Sequence, residues 1–246
     1  MAEARGLHVA QSRLVERAAC GRTFVVWDVG LGAAANAIAV LEAFAEQPCA
    51  AGVELHSFDC ATGPLEFAMR HAGELGYLPA WKREVGELLA CRQTIAGCVR
   101  WHFHTVDFRE FVSESEVTRP DAILYDPYSP ATNPGMWTLD HFTRLRSCLD
   151  PGRPCTLTSY SRSTAVRVTL ALAGFFVGRG GAIGEKDQTT VAATHRELLH
   201  EALGHEWLGR VERSTRGSPL RDGGKGGPIS PEDLERLRRA VAGEPG

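Results

Sequence analysis

The 246-residue sequence predicts an α/β fold: one sheet of seven mostly parallel strands with helices on both faces. Three observations predict it. Short apolar runs alternate along the chain with segments of helical periodicity. The first run, Thr23 to Asp28, ends in a small-residue turn, Gly30-Leu-Gly32, and a helix starts within a few residues. A second run ends in an acid, Asp59, one strand–helix–strand unit later.

Taken in order, residues 1–22 read as a short helix whose apolar residues are Leu7, Val9, Leu14 and Val15, ending near Gly21. Thr23 to Asp28 is apolar enough for a strand buried on both faces. Asn36 to Phe44 follows as a helix, and Val53 to Phe58 as a second strand. Gly63-Pro64 opens a helix, because proline tolerates the first helical position. A helix covers Trp81 to Cys91, then strands cover Val99 to Val106 and Ala122 to Tyr125. Thr138 caps a helix from Leu139 to about Cys148, and Asp150-Pro-Gly152 makes the turn after it. A strand at Cys155 to Ser159, a helix at Ser163 to Ala173, and strands at Phe175 to Gly178 and Thr189 to Thr194 complete the sheet. From Gly209 the composition shifts to Arg210, Arg213, Arg216, Arg221 and Lys225 among Gly, Ser and Pro, before a charged helix from Pro231 to Ala242. The expected organisation is therefore an α/β domain over 1–208 and a basic, loop-rich tail over 209–246. That tail is either solvated chain or a basic strip that touches phosphates.

Composition narrows the class. The chain is 43% hydrophobic and 23% charged, ordinary for a globular protein. A net charge of −3 gives no global basic field. The seven cysteines are scattered and form no C-x-x-C pair, which suits reduced thiols. With no signal-type leader and no run long enough to span a bilayer, a cytoplasmic protein without membrane contact is expected.

Gly30 and Gly32 lack Cβ, so the backbone turns tightly there and lets a ligand approach near the following helix. Asp59 is placed to accept hydrogen bonds from the two hydroxyls of a ribose, which NAD and S-adenosylmethionine both carry. Asp28, at the end of the first strand, and Asp107, just after the third, join the candidate cofactor site as polar groups. Each acid has a structural alternative: Asp28 can cap the turn, Asp59 a helix, and Asp107 can start the helix at Phe108. Ala35 stands where the dinucleotide fingerprint has its third glycine, which favours S-adenosylmethionine over NAD.

The reaction site is read from Asp121-Ala-Ile-Leu-Tyr-Asp-Pro-Tyr-Ser-Pro-Ala-Thr-Asn-Pro-Gly-Met-Trp137. An apolar strand delivers Asp126 to the sheet's carboxyl edge, and Pro127 and Pro130 stiffen the loop. Asp126 and the Pro127 carbonyl can accept hydrogen bonds from an amine, and Tyr128 can pack on a flat ring. A carboxylate can orient such an amine and take its proton. His102 and His104 share one face of a strand, but no third ligand is evident, so they read as packing or surface residues and no metal is expected.

The Asp126-Pro-Tyr-Ser-Pro130 string is similar to the [DN]-P-P-Y loop of amine-directed nucleic-acid methyltransferases. The longer string resembles the methyltransferase domain of the MnmC family through Asp126, Pro130, Asn133, Pro134, Met136 and Trp137. Gly30, Gly32 and Asn36 match that family's cofactor turn, and the resemblance runs from about residue 24 to 220. It implies a Rossmann-like class I methyltransferase that transfers a methyl group from S-adenosylmethionine to the aminomethyl nitrogen of a tRNA wobble uridine. Asp126 would be the base or orienting carboxylate, Pro127, Tyr128, Asn133 and Trp137 would bind substrate, and a local basic face would meet tRNA. The chain departs from the family at Ala34, where relatives have a third loop glycine, at Asp59, where they often have Glu, and at Gly184-Glu-Lys-Asp187, which is less basic. Two readings compete with the tRNA one: an amine methyltransferase acting on another substrate, and a non-catalytic S-adenosylmethionine-binding module.

Overall fold

The computed structural model describes residues 2–114, 118–181, 188–224 and 226–243. The chain divides into two compact units, Met1–Pro127 and Tyr128–Gly246.

The first unit begins with helix α1 (Ala2–Ala4), which widens into a π-helical segment over Arg5–Ala10. Helix α2 (Leu14–Ala18) follows, entered through Arg13 at φ +51°. The single expected helix is thus broken. Leu7 and Val9 both bury, yet two residues on an ideal helix point about 200° apart. The wider π turn and the left-handed Arg13 bring Leu7, Val9 and Leu14 all into the interior.

Strand β1 (Phe24–Val29) is buried throughout. After it come helix α3 (Ala35–Glu46), strand β2 (Val53–Asp59), and helices α4 (Gly63–Arg70) and α5 (Lys82–Cys91). Strands β3 (Gln93–Ala96) and β4 (Val99–Thr105), helix α6 (Phe108–Glu114) and strand β5 (Ala122–Tyr125) complete the unit. The strand order is β3-β4-β2-β1-β5, with β3 antiparallel to β4 and the other neighbours parallel. Successive side chains of β1 serve different clusters, as the two-residue strand period requires. Phe24 and Val26 join Leu55, Trp101 and Leu124 in a core with Ile38, Leu41 and Phe44 of α3. Trp27 instead meets Phe58, Phe108 and Phe111 edge-on, with ring centroids 5.6–5.9 Å apart. Asp121 fixes the start of β5: its N–H donates to Val25 O and its buried carboxylate accepts from Val25 N, each at 2.8 Å, and from Arg22.

The second unit contains a 3₁₀ turn (Pro134–Trp137), helix α7 (Leu139–Cys148), strand β6 (Thr156–Ser159) and helix α8 (Thr164–Leu172). Strands β7 (Phe176–Gly180) and β8 (Thr189–Ala193) and helices α9 (His205–Glu212) and α10 (Pro231–Ala242) follow. The strands lie in the order β6-β8-β7, each antiparallel to its neighbour. Thr138 caps α7 by accepting from His141 N at 3.2 Å. The compositional boundary at 208/209 falls within α9. Beyond it, Leu220 N donates to Thr169 Oγ1, Arg221 grips Asp233 through two hydrogen bonds, and Leu237 is fully buried. Gly184-Glu-Lys-Asp187 and Lys225 lie outside the described residues.

Eight strands are present among the described residues, one more than the seven expected. The addition is β3, an edge strand of four residues whose Ile95 faces solvent, so it lacks the apolar pattern of a buried strand. No helix among the described residues is long and apolar enough to cross a membrane.

Candidate functional site

The carboxyl ends of β1, β2 and β5 gather most of the expected cofactor residues. Gly30 N and Leu31 N both donate to Phe58 O, at 2.9 and 3.1 Å, and bend the chain away from the sheet. Gly30 has φ +91°, and a Cβ there would lie 2.4 Å from Asp126 O. Only glycine fits that approach of two backbones. Gly32, at φ +51°, has open space where a Cβ would sit. Its N–H donates to Asp59 Oδ2 at 3.0 Å, which ties the end of β2 to the turn. Ala34 stands at φ +63° and is fully buried, directly before α3. Ala34 therefore holds a left-handed backbone while carrying a methyl group, a conformation that costs an L-residue roughly 1–2 kcal/mol.

Asp126 continues from the fully buried β5, and its N–H donates to Val29 O at 2.9 Å. Asn36, in the first turn of α3 and nearly buried, reaches Asp126 Oδ2 through its side-chain amide at 3.5 Å. The expected cofactor residue Asn36 thus lies against the expected catalytic carboxylate. Asp28 is fully buried behind the turn. Its Oδ2 accepts from Ser57 Oγ at 2.8 Å, and that hydroxyl accepts from Trp101 Nε1 at 2.9 Å. Its Oδ1 has no hydrogen-bond partner among the described residues. Burial pushes the Asp28 carboxyl up to about 7; the Ser57 hydrogen bond opposes this, while Asp126 and Asp59 add to it. Three acids, Asp28, Asp59 and Asp126, surround a glycine turn with open space at Gly32. A ligand with cationic groups and ribose hydroxyls fits such a site.

Asp107 sits apart in role. It begins α6, accepting from Arg109 N at 2.9 Å, and its carboxylate also pairs with the Arg109 guanidinium at 2.6 Å. Its helix-starting function is realised, and any ligand must share it with Arg109.

Pro127 ends the first unit, and the remaining expected substrate residues belong to the second. Tyr128 has φ +62° and is 62% exposed, presenting its ring to solvent. Asn133 N and Thr132 N both donate to Ser129 O, at 2.9 and 3.0 Å, closing the turn that precedes Pro134. Trp137 is 2% exposed and meets Phe142 edge-on at 6.2 Å, an interior anchor for its unit.

Sequence reasoning missed His56. The β2–β4 register sets it opposite His102, its ring stacks on His102 at 4.8 Å, and its Nδ1 lies 3.0 Å from His104 Nε2. The signal lay in pairing register, which no single strand displays. Among the described residues, no group of three or more His, Cys, Asp or Glu is placed to hold a metal ion.

Comparison with known proteins adds independent findings. A family described as S-adenosyl-L-methionine-dependent methyltransferase matches residues 80–195. The chain is 31% identical over 186 residues to the tRNA 5-methylaminomethyl-2-thiouridine biosynthesis bifunctional protein MnmC of Ralstonia nicotianae, covering 70% of this chain and 27% of that protein. It is 28% identical over 200 residues to the MnmC protein of Caulobacter vibrioides, covering 76% of this chain and 32% of that one. The chain therefore spans about a quarter to a third of these relatives. Among solved structures, MNMC2 from Aquifex aeolicus superposes with a TM-score of 0.69 at 28% identity, over 97% of this chain and 73% of that one. A spermidine synthase shares the fold alone, with a TM-score of 0.51 at 9% identity over 94% of this chain and 73% of that one.

Proposed function

This chain is an MnmC-like S-adenosylmethionine-dependent methyltransferase, and we propose that it methylates the aminomethyl nitrogen of a tRNA wobble uridine in the cytoplasm. The observation that carries the reading is the seat of Asp126: a carboxylate delivered by β5, touching Asn36, with its own backbone packed on Gly30 of the cofactor turn. The relatives' names supply the substrate class, since they are tRNA 5-methylaminomethyl-2-thiouridine biosynthesis proteins.

Bound at the turn, S-adenosylmethionine supplies an electrophilic methyl group on a positive sulfonium. Gly30 and Gly32 admit it, and Asp59 accepts from its ribose hydroxyls while holding the turn through Gly32 N. Asp28 supports the turn from behind through Ser57, and Asp107 would accept from the adenine amine. Asp126 accepts a hydrogen bond from the substrate amine, aims its lone pair and would take the proton released as the N–C bond replaces the methyl–sulfur bond, the sulfonium leaving as a neutral thioether. Asn36 holds that carboxylate in place. Pro127 offers its carbonyl to the same amine; in the second unit, Tyr128 with its exposed ring, Asn133 and Trp137 are the residues proposed to bind substrate.

The test is transfer of labelled methyl to tRNA carrying the aminomethyl precursor and to tRNA lacking it. Labelling confined to the precursor tRNA is expected. Equal labelling of both, or none with the cofactor still bound, would move the acceptor to another amine, a reading that the net charge of −3 favours.

A further inference from the structure

In the second unit, α8 carries one cation within an otherwise apolar stretch, Thr-Ala-Val-Arg-Val-Thr-Leu-Ala-Leu. That residue, Arg167, is only 6% exposed. Its Nε donates to Thr190 Oγ1 at 3.0 Å and its Nη2 to Thr189 O at 2.9 Å. Neither partner is charged, and no carboxylate among the described residues lies within ion-pair distance of it. A buried guanidinium normally has a carboxylate or another anion beside it, because desolvating a full charge against neutral dipoles is costly. The Nη1 donors make no hydrogen bond among the described residues.

A second cation meets the same spot. Arg179 on β7 is the cross-strand partner of Thr190, so its side chain leaves the β7–β8 ladder on the face where Thr190 receives Arg167. Its Nη1 pairs with the exposed Glu201 at 3.2 Å, but its Nε–H is buried and without a partner among the described residues. Arg210, exposed on α9, and Arg179 both disfavour the charge on Arg167, and Glu201 opposes them. Among the described residues, Glu201 is the acid paired with this cluster, and Arg167 and Arg179 keep donors without partners there. Tying Thr189 and Thr190 to α8 needs only the neutral hydrogen bonds; it does not account for like charges gathered around them.

We infer that Arg167 and Arg179, with Arg210 adding positive charge, form an anion site for backbone phosphates of the RNA substrate, a refinement that rests on the tRNA reading above. Fork-shaped guanidinium donors match the paired oxygens of a phosphodiester. A chain of net charge −3 has no global field to attract RNA, so phosphate contacts must come from a local cluster of this kind. Glu201 weakens that cluster by occupying Arg179.

The experiment measures equilibrium binding of fluorescent precursor tRNA across a salt series, with S-adenosylmethionine affinity as the check on folding. Arg179→Ala and Arg210→Ala are each expected to weaken tRNA binding about three- to tenfold and to reduce the salt slope by about one, while cofactor affinity holds. Glu201→Gln, which frees Arg179, is expected to tighten binding about twofold. Arg167→Lys, which keeps the charge but loses the fork, should weaken binding without changing the slope. Wild-type affinity and slope in the alanine variants and in Glu201→Gln would overturn the site and leave the tRNA reading standing. A wild-type protein that binds no tRNA would overturn both.

Discussion

The glycine turn of the first unit and the β7–β8 face of the second each concentrate charge of one sign, but by different means. At the turn, Asp28, Asp59 and Asp126 sit at or near the ends of three neighbouring strands, and the Ser57 hydroxyl, the Gly32 N–H and the Asn36 amide respectively donate to them. On the β7–β8 face, Arg167 and Arg179 arise from a helix and a strand that converge on Thr190; neutral oxygens hold Arg167, and Glu201 pairs with Arg179. Sheet topology suffices to gather the acids, because parallel strands place their carboxyl ends together. The arginines need a helix packed across an antiparallel ladder. Each region keeps a buried polar atom without a partner among the described residues, Asp28 Oδ1 in one and Arg179 Nε in the other. Uncompensated charge of this kind is costly to fold and marks where a ligand of opposite sign is expected.

The largest effect that would sharpen this contrast lies at Asp126. Asp126→Asn keeps the shape but loses the base, so methyl transfer should fall roughly 10²–10⁴-fold with cofactor affinity near wild type. A matching loss of cofactor binding, measured by calorimetry, would make Asp126 a cofactor ligand instead. Next comes Asp28→Asn. A carboxyl raised to about 7 when folded, from its ordinary value near 4, binds its proton more tightly in the folded state. Its contribution is therefore greatest at low pH and is lost as pH rises from about 4 through 7. The amide removes that loss, so the variant should gain up to roughly 4 kcal/mol at pH 8 and little at pH 4. Urea melts at the two pH values decide it, and equal effects at both would refute the buried-charge account.

Smaller effects follow at the rim of the turn. Asp59→Ala should weaken S-adenosylmethionine about 10- to 100-fold, the worth of charge-assisted hydrogen bonds to one carboxylate. An unchanged Kd would remove Asp59 from the cofactor site. Smallest is Ala34→Gly, which relieves a left-handed alanine but deletes a buried methyl group. The two terms nearly cancel, leaving a shift within about 1 kcal/mol. A loss of more than that would mean the methyl group packs better than the backbone strain costs.

Much of this was legible in the chain. Continuous burial of Phe24–Val29 and Ala122–Tyr125 followed from apolar runs too short for helices, and Thr138 capped its helix as its type and position suggest. Gly30 also follows from sequence, although its reason, the approach of Asp126 O, needs the register of β1 and β5. What sequence withheld was pairing across elements. Asn36 reaching Asp126, His56 joining His102 and His104, and Arg167 meeting Thr190 all depend on contacts between segments far apart in the chain. The N-terminal break was hidden for another reason: its apolar residues suit a helix one by one, but a single straight helix cannot bury them together.

The hydrogen-bonded line from Trp101 Nε1 through Ser57 Oγ to Asp28 also gives the protein an internal optical reporter. The indole donates into a chain that ends on a group titrating near neutrality, so a charge appearing on Asp28 should alter the electric field along that ring. Tryptophan emission should then trace a sigmoid centred near pH 7, absent in Trp101→Phe and in Asp28→Asn. Cofactor arriving at the turn should displace that midpoint, so a fluorimeter could read occupancy of the site without any label.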